Sequence, residues 1–111
     1  MDQLDILVDG YVNYLLVEKG LSEKTIEAYS RDLAEYISFI KKSKINHVSD
    51  KDTTVILKHL IELRDVGLAA KSRARHLVTL RGFYKFLVHE KVLKSDPTKI
   101  IDLPKTYVLR L

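Results

Sequence analysis

The sequence predicts an all-α protein: a four-helix bundle with a short C-terminal helical turn. Three observations carry this. Apolar residues recur at three- and four-residue spacing along almost the whole chain, the period of a helix with one buried face. Gly20, Gly67 and Pro97 fall where such helices would stop or start, and only four Gly and two Pro interrupt the chain. No segment alternates with the two-residue period of a half-buried strand. With 111 residues a single domain is expected, and an apolar content of 46% is enough for a core.

The first helix is expected over about residues 3–19, with Leu4, Leu7, Val8, Tyr11 and Leu15 on one stripe and Gly20 as C-terminal cap. Gly10, inside it, reads as a point of close packing. Ser22 is a good N-cap for the second helix, and Glu23 stands in the first turn, where the helix dipole favours an acid. Ile26, Tyr29, Leu33, Tyr36, Ile37 and Ile40 continue that helix to about Lys42. Ser49 with Asp52 imitates a capping box and opens the third helix, whose buried stripe is Ile56, Leu57, Leu60 and Leu63 before Gly67.

The fourth helix is expected from about Lys71 to Lys91, with Ala74, Leu77, Leu80, Tyr84 and Leu87 inward and Phe83 and Val88 on the flanks. Asp96-Pro97 pairs an N-cap with proline at the first helical position, so a helical turn should begin there. Residues 1–105 then form the domain. The last six, TYVLRL (106–111), read as the start of a linker.

Several function classes drop out early. With no cysteine there is no disulfide, thiolate metal site or thiol nucleophile. His47, His59, His76 and His89 form no HExxH or similar pair, so no metal site is expected. Neither GxxxxGK[ST] nor GxGxxG occurs, which removes the usual nucleotide cradles. The N-terminus lacks a signal-peptide pattern and no apolar run is long enough to span a membrane, so a cytoplasmic protein is expected. No catalytic residue and no cofactor is expected in this stretch.

The charge distribution says more. Residues 1–20 hold one base against four acids, whereas residues 69–111 hold ten bases against three acids. Between Asp65 and Glu90 there is no acid, while Lys71, Arg73, Arg75, Arg81 and Lys85 all fall there. Such a one-sided field attracts polyanions. In the fourth helix Lys71, Ser72, Arg75, His76 and Thr79 cluster away from the apolar stripe over the first two turns, with Arg81 and Lys85 further round on the flank. A helix start exposes unpaired N–H groups and partial positive charge, so basic and hydroxyl side chains there suit a phosphate, and can reach base edges in a major groove. The second helix opens similarly, with Ser22, Lys24 and Thr25 ahead of Tyr29 and Arg31. For Ser22 capping explains the residue as well as binding does, and the ring of Tyr29 has core spacing.

These residues also resemble a known family. The marks are Ser22–Thr25–Tyr29–Asp32-Leu33, then Ser72–Arg75–Leu80–Phe83–Tyr84–Leu87, then Asp96-Pro97 and Leu103-Pro104-Lys105. In order and spacing they are similar to the N-terminal core-binding domain of tyrosine recombinases, above all Xer-type enzymes and phage integrases, over Leu4 to Lys105. The resemblance implies a SAM-like four-helix bundle forming half of a clamp around double-stranded DNA, its second and fourth helices facing the major groove. It places Lys24, Thr25 and Tyr29, and Lys71, Ser72, Arg73, Arg75 and Thr79, on the DNA side. It further implies other recombinase protomers as partners in a tetrameric synapse, and a separate C-terminal catalytic domain lying beyond Lys105. Tyr107 stands too early to be that domain's nucleophile. The rival expectation is a helical protein-interaction module that never touches nucleic acid, supported by the acidic first helix and its apolar stripe.

Overall fold

A computed structural model describes residues 2–101 and contains four helices: α1 (Gln3–Val17), α2 (Glu23–Lys42), α3 (Thr53–Asp65) and α4 (Ala70–His89). No strand occurs among the described residues. Leu103-Pro104-Lys105, Tyr107 and the linker expected over 106–111 lie outside them. At 20 residues each, α2 and α4 are about 30 Å long. They pack on each other, and α1 and α3 each pack on both.

Local chemistry fixes most of the boundaries. Asp2 caps α1 by accepting from the Asp5 N–H at 2.9 Å. Ser22 caps α2 by accepting from the Thr25 N–H at 3.2 Å. Gly20 and Gly67 adopt φ of +61° and +95°, the left-handed conformation that ends α1 and α3. Lys41, in the last turn of α2, bridges Asp2 at 2.8 Å and Asp5 at 3.2 Å, tying the end of α2 to the start of α1.

The core is built from Leu4, Tyr11 and Leu15 of α1, Leu33, Tyr36, Ile37 and Ile40 of α2, Ile56 of α3, and Leu77, Leu80, Phe83, Tyr84 and Leu87 of α4. Three expectations are corrected here. Helix α3 begins at Thr53, four residues after the expected Ser49. Only half the capping box forms: Asp52 accepts from the Ser49 N–H at 3.0 Å, whereas the Ser49 hydroxyl accepts from the Lys51 N–H at 3.1 Å instead of from the Asp52 N–H. Leu57 is exposed while His59 is buried, because α3 turns its Ile56–His59 edge inward.

Gly10 is exposed and meets only Phe86 at an ordinary 3.9 Å, so it marks no close approach. Gly82 does: a Cβ there would collide with the Tyr11 hydroxyl of α1. At the C-terminal side Asp96 Oδ1 accepts from the N–H and hydroxyl of Thr98 at 2.8 and 2.6 Å. A hydrogen-bonded turn follows over 97–100, and Ile101 is buried against the bundle. The Arg81 guanidinium donates to the Ile101 carbonyl and so secures this end.

Candidate nucleic-acid interface

The start of α4 carries Lys71, Arg73 and Arg75 within its first six residues. Ala69 occupies the cap position without a side-chain hydrogen bond, so the first N–H groups of α4 are not satisfied by a cap, in contrast to those of α2. No acid belongs to the helix. Lys71 is exposed and Ser72 half-buried. Arg73 turns back on the α3–α4 connection, its Nη1 donating to the Leu68 carbonyl at 2.5 Å.

One turn after Lys71, Arg75 reaches across to α2. Its Nε donates to Asp32 Oδ2 at 3.0 Å and its Nη2 to Asp32 Oδ1 at 2.8 Å, a side-on bidentate pair. Asp32 is buried at 2% exposure, whereas the Arg75 side chain keeps 46% of its surface in solvent. The hydrogen bonds to Asp32 raise the Arg75 pKa further, so the guanidinium is permanently charged. Thr79 Oγ1 lies 3.0 Å from Asp32 Oδ2 and 3.1 Å from the Arg75 carbonyl, and its one proton serves either acceptor. His76 Nε2 stands 3.4 Å from Asp32 Oδ1 and 3.8 Å from Glu35.

The structure thus brings Arg75, His76 and Thr79 together, but around a carboxylate and not on an open face. His76 is 3% exposed and Thr79 1%, which corrects the expectation that both point away from the core. The physical reason is that α4 is packed by all three other helices, so its buried arc is much wider than the single stripe a surface helix shows. Phe83, expected on a flank, is buried for the same reason.

At the start of α2, Lys24 is exposed and Thr25 half-buried, its Oγ1 accepting from the Ser22 hydroxyl at 3.0 Å. Ser22 is therefore a cap. Tyr29 is half-buried and packs against the core, as its spacing suggested. Asp32, a turn beyond Tyr29, is the residue that links this helix to α4. Sequence reasoning left it off the site because its partner lies 43 positions away, which no periodicity connects. Its signals were an acid set between the core positions Tyr29 and Tyr36 and a place among the marks of the resemblance, neither of which names Arg75 as its partner.

His59 and His76, distant in sequence, meet edge-to-face with ring centroids 6.0 Å apart. Burial, with the neighbouring His76 second, pushes the His59 pKa down to about 4, so its ring is neutral at pH 7. His59 also touches the rings of Tyr36 and Phe39, at 5.4 and 5.1 Å between centroids, as a core aromatic would. No group of three metal-ligating side chains occurs among the described residues. A groove of about 630 Å³ runs between α1 and α2, lined by Val8, Ala34, Ile37 and Lys41 among others, and includes no residue of α4. No helix among the described residues is long and apolar enough to cross a membrane.

An all-helical domain with an acid-free cationic helix start, buttressed from a neighbouring helix, is the class of protein that fold and site define. The chain belongs to the family described as "Phage integrase, N-terminal SAM-like domain", which residues 8–91 match. Among curated proteins it is similar to Tyrosine recombinase XerD of Staphylococcus epidermidis strain ATCC 35984, 39% identical over 102 residues. Tyrosine recombinase XerD of Staphylococcus saprophyticus is 41% identical, and that of Staphylococcus aureus strain Mu50 38% identical, each over the same length. In each case the match covers 92% of this chain and 35% of the relative, so the chain spans about a third of the length of these proteins. No solved structure matches the chain.

Proposed function

We propose that this chain is the duplex DNA-binding module of a site-specific tyrosine recombinase or integrase, and that it grips the recombination site through α2 and α4. The observation that carries the reading is the start of α4: exposed Lys71 and half-exposed Arg75 on an acid-free helix without a side-chain cap. Lys24 at the start of α2 adds a second exposed cation. Membership of a recombinase domain family supports the same role. The chemistry of strand cleavage belongs to the remainder of a longer parent, and synapsis into a tetramer to several such parents on DNA. Lys24, Thr25, Lys71, Ser72 and Arg75 form the proposed contact surface. Tyr29 and Arg73 serve at its margin, and the buried His76 and Thr79 support it from beneath.

Titration of a fluorescent duplex against the 111-residue chain at several salt concentrations tests this. Removing one phosphate-neutralising cation should flatten the plot of log affinity against log salt by about 0.9. Lys71→Gln and Lys24→Gln should each do so while leaving the fold intact. Absence of duplex binding at low salt refutes the proposal. Ile6, Leu16 and Val17 of α1 are 56%, 52% and 66% exposed, which favours a second reading as a protein-docking module. That reading predicts a stable protein complex and no retention on DNA.

A further inference from the structure

We propose that Asp32 is a positioning residue and Arg75 a specificity-determining one, the pair presenting a fixed donor fork that reads the O6/N7 edge of a guanine in the major groove. The inference rests on the DNA-binding reading and deepens it. A guanidinium has two edges able to make paired hydrogen bonds. Asp32 occupies the Nε–Nη2 edge with bonds of 3.0 and 2.8 Å. The second Nη2 proton and the Nη1 proton beside it are left, and these two form the end-on edge of the group. The Arg75 side chain keeps 46% of its surface in solvent, whereas its anchor is almost wholly buried.

Asp32 is itself immobilised, since Thr79 Oγ1 bonds the same Oδ2 from α4 and the residue sits within the helix–helix contact. The Arg75 stem has therefore been ordered in advance, and binding need not meet that entropy again.

The charge balance favours a base over a phosphate. Arg75 and Asp32 together are neutral, so the pair releases few counterions and contributes little as a phosphate neutraliser. Its directed donors are undiminished, and two parallel N–H donors are the partner that guanine O6 and N7 require. Lys71, one turn earlier and without an ion-pair partner among the described residues, is the phosphate-type cation by the same criterion.

The test is enrichment of bound sequences from a randomised duplex pool by the 111-residue chain, with salt titrations on an enriched duplex. The wild type should enrich a motif containing a guanine position, preferred about five- to 150-fold over the other bases. Asp32→Asn should lose that preference and bind the enriched duplex more weakly. Its extra positive charge alone would strengthen binding, so the sign separates positioning from bulk electrostatics. Arg75→Lys, which keeps the charge and alters only an accessible side chain, should lose the preference with an unchanged salt slope, and covers the case in which Asp32→Asn unfolds. Lys71→Gln should flatten the salt slope and keep the guanine. Circular dichroism confirms that each variant is folded. Wild-type binding with no guanine preference, or folded Asp32→Asn and Arg75→Lys variants that retain it, overturns the inference while leaving the DNA-binding reading intact. No binding to any duplex refutes that reading instead.

Discussion

Removing the Tyr84 hydroxyl should harm the bundle far more than removing its neighbour's. The two tyrosines are wholly buried and meet at 2.7 Å between hydroxyl oxygens. Because Tyr84 donates to Asp52 Oδ2 at 2.6 Å, Tyr36 must be the donor in the tyrosine pair. Burial first, then the nearby Tyr36 and Asp52, pushes the Tyr84 pKa far up, so the phenol stays protonated and keeps donating at any ordinary pH. In Tyr84→Phe the Tyr36 proton loses its only acceptor and Asp52 loses one of two bonds, the Ser49 N–H remaining at 3.0 Å. A buried group left unpaired costs about 1–3 kcal/mol, and with Asp52 partly satisfied the sum is about 3 kcal/mol. In Tyr36→Phe the Tyr84–Asp52 bond survives, so the loss is about 1 kcal/mol. Each kcal/mol lowers Tm by about 4–8 °C in a domain of this size, which separates the two variants by at least about 8 °C. Thermal and urea unfolding at pH 7 measure this, with an unchanged m-value confirming that only stability moved. Equal losses, or a larger one for Tyr36→Phe, would show that the relay does not run from Tyr36 through Tyr84 to Asp52.

Gly82→Ala should destabilise by about 1–3 kcal/mol, because the new methyl collides with the Tyr11 hydroxyl, and Tyr11→Phe in the same chain should restore most of it. Gly10→Ala, by contrast, should stabilise by about 0.5–1 kcal/mol, since the position is helical and unobstructed. His59 gives a pH prediction. Its folded-state pKa of about 4 lies below the unfolded value near 6.5, so the unfolded chain binds the proton more readily. The contribution is complete above pH 6.5 and is lost as pH falls from 6.5 towards 4. Urea midpoints across that range should fall more steeply in the wild type than in His59→Phe, and parallel curves would refute the assignment.

How legible this was depended on the range of each interaction. Ser22, Gly20 and Gly67 act within a few residues of themselves, and they stand where capping rules put them. The stripe Ala74–Leu77–Leu80–Tyr84–Leu87 was readable because one face of a helix repeats. What failed was the assumption that the opposite face is free. With three neighbours α4 has little opposite face, so His76 and Thr79 went inward along with Phe83. The Ser49 capping box stayed half-formed for a local reason: the Ser49 hydroxyl accepts from the Lys51 N–H at 3.1 Å instead of from the Asp52 N–H. The cationic start of α4 was legible as composition, but the role of Asp32 was not, since no periodicity connects it to a partner 43 residues away.

The Asp32–Arg75 pair raises the question of why a bundle this small keeps a carboxylate in its interior. Stability is a poor answer. A buried ion pair often does no better than apolar residues of similar volume, whereas removing one partner strands a charge at about 3–5 kcal/mol. Arg75 is half-exposed here, so water can reach the stranded Asp32 and the lower end of that range applies. Arg75→Leu should therefore lose about 2–3 kcal/mol, part of it softened by Thr79, which still donates to the carboxylate. Asp32→Leu together with Arg75→Leu should recover most of that loss, because neither charge remains to be desolvated. The double variant would then be folded and lack the fork, and it should bind duplex DNA with its salt slope nearly unaltered but its base preference gone. If instead the double variant is less stable than Arg75→Leu alone, the pair is a net-stabilising tie between α2 and α4, and stability does account for the interior carboxylate.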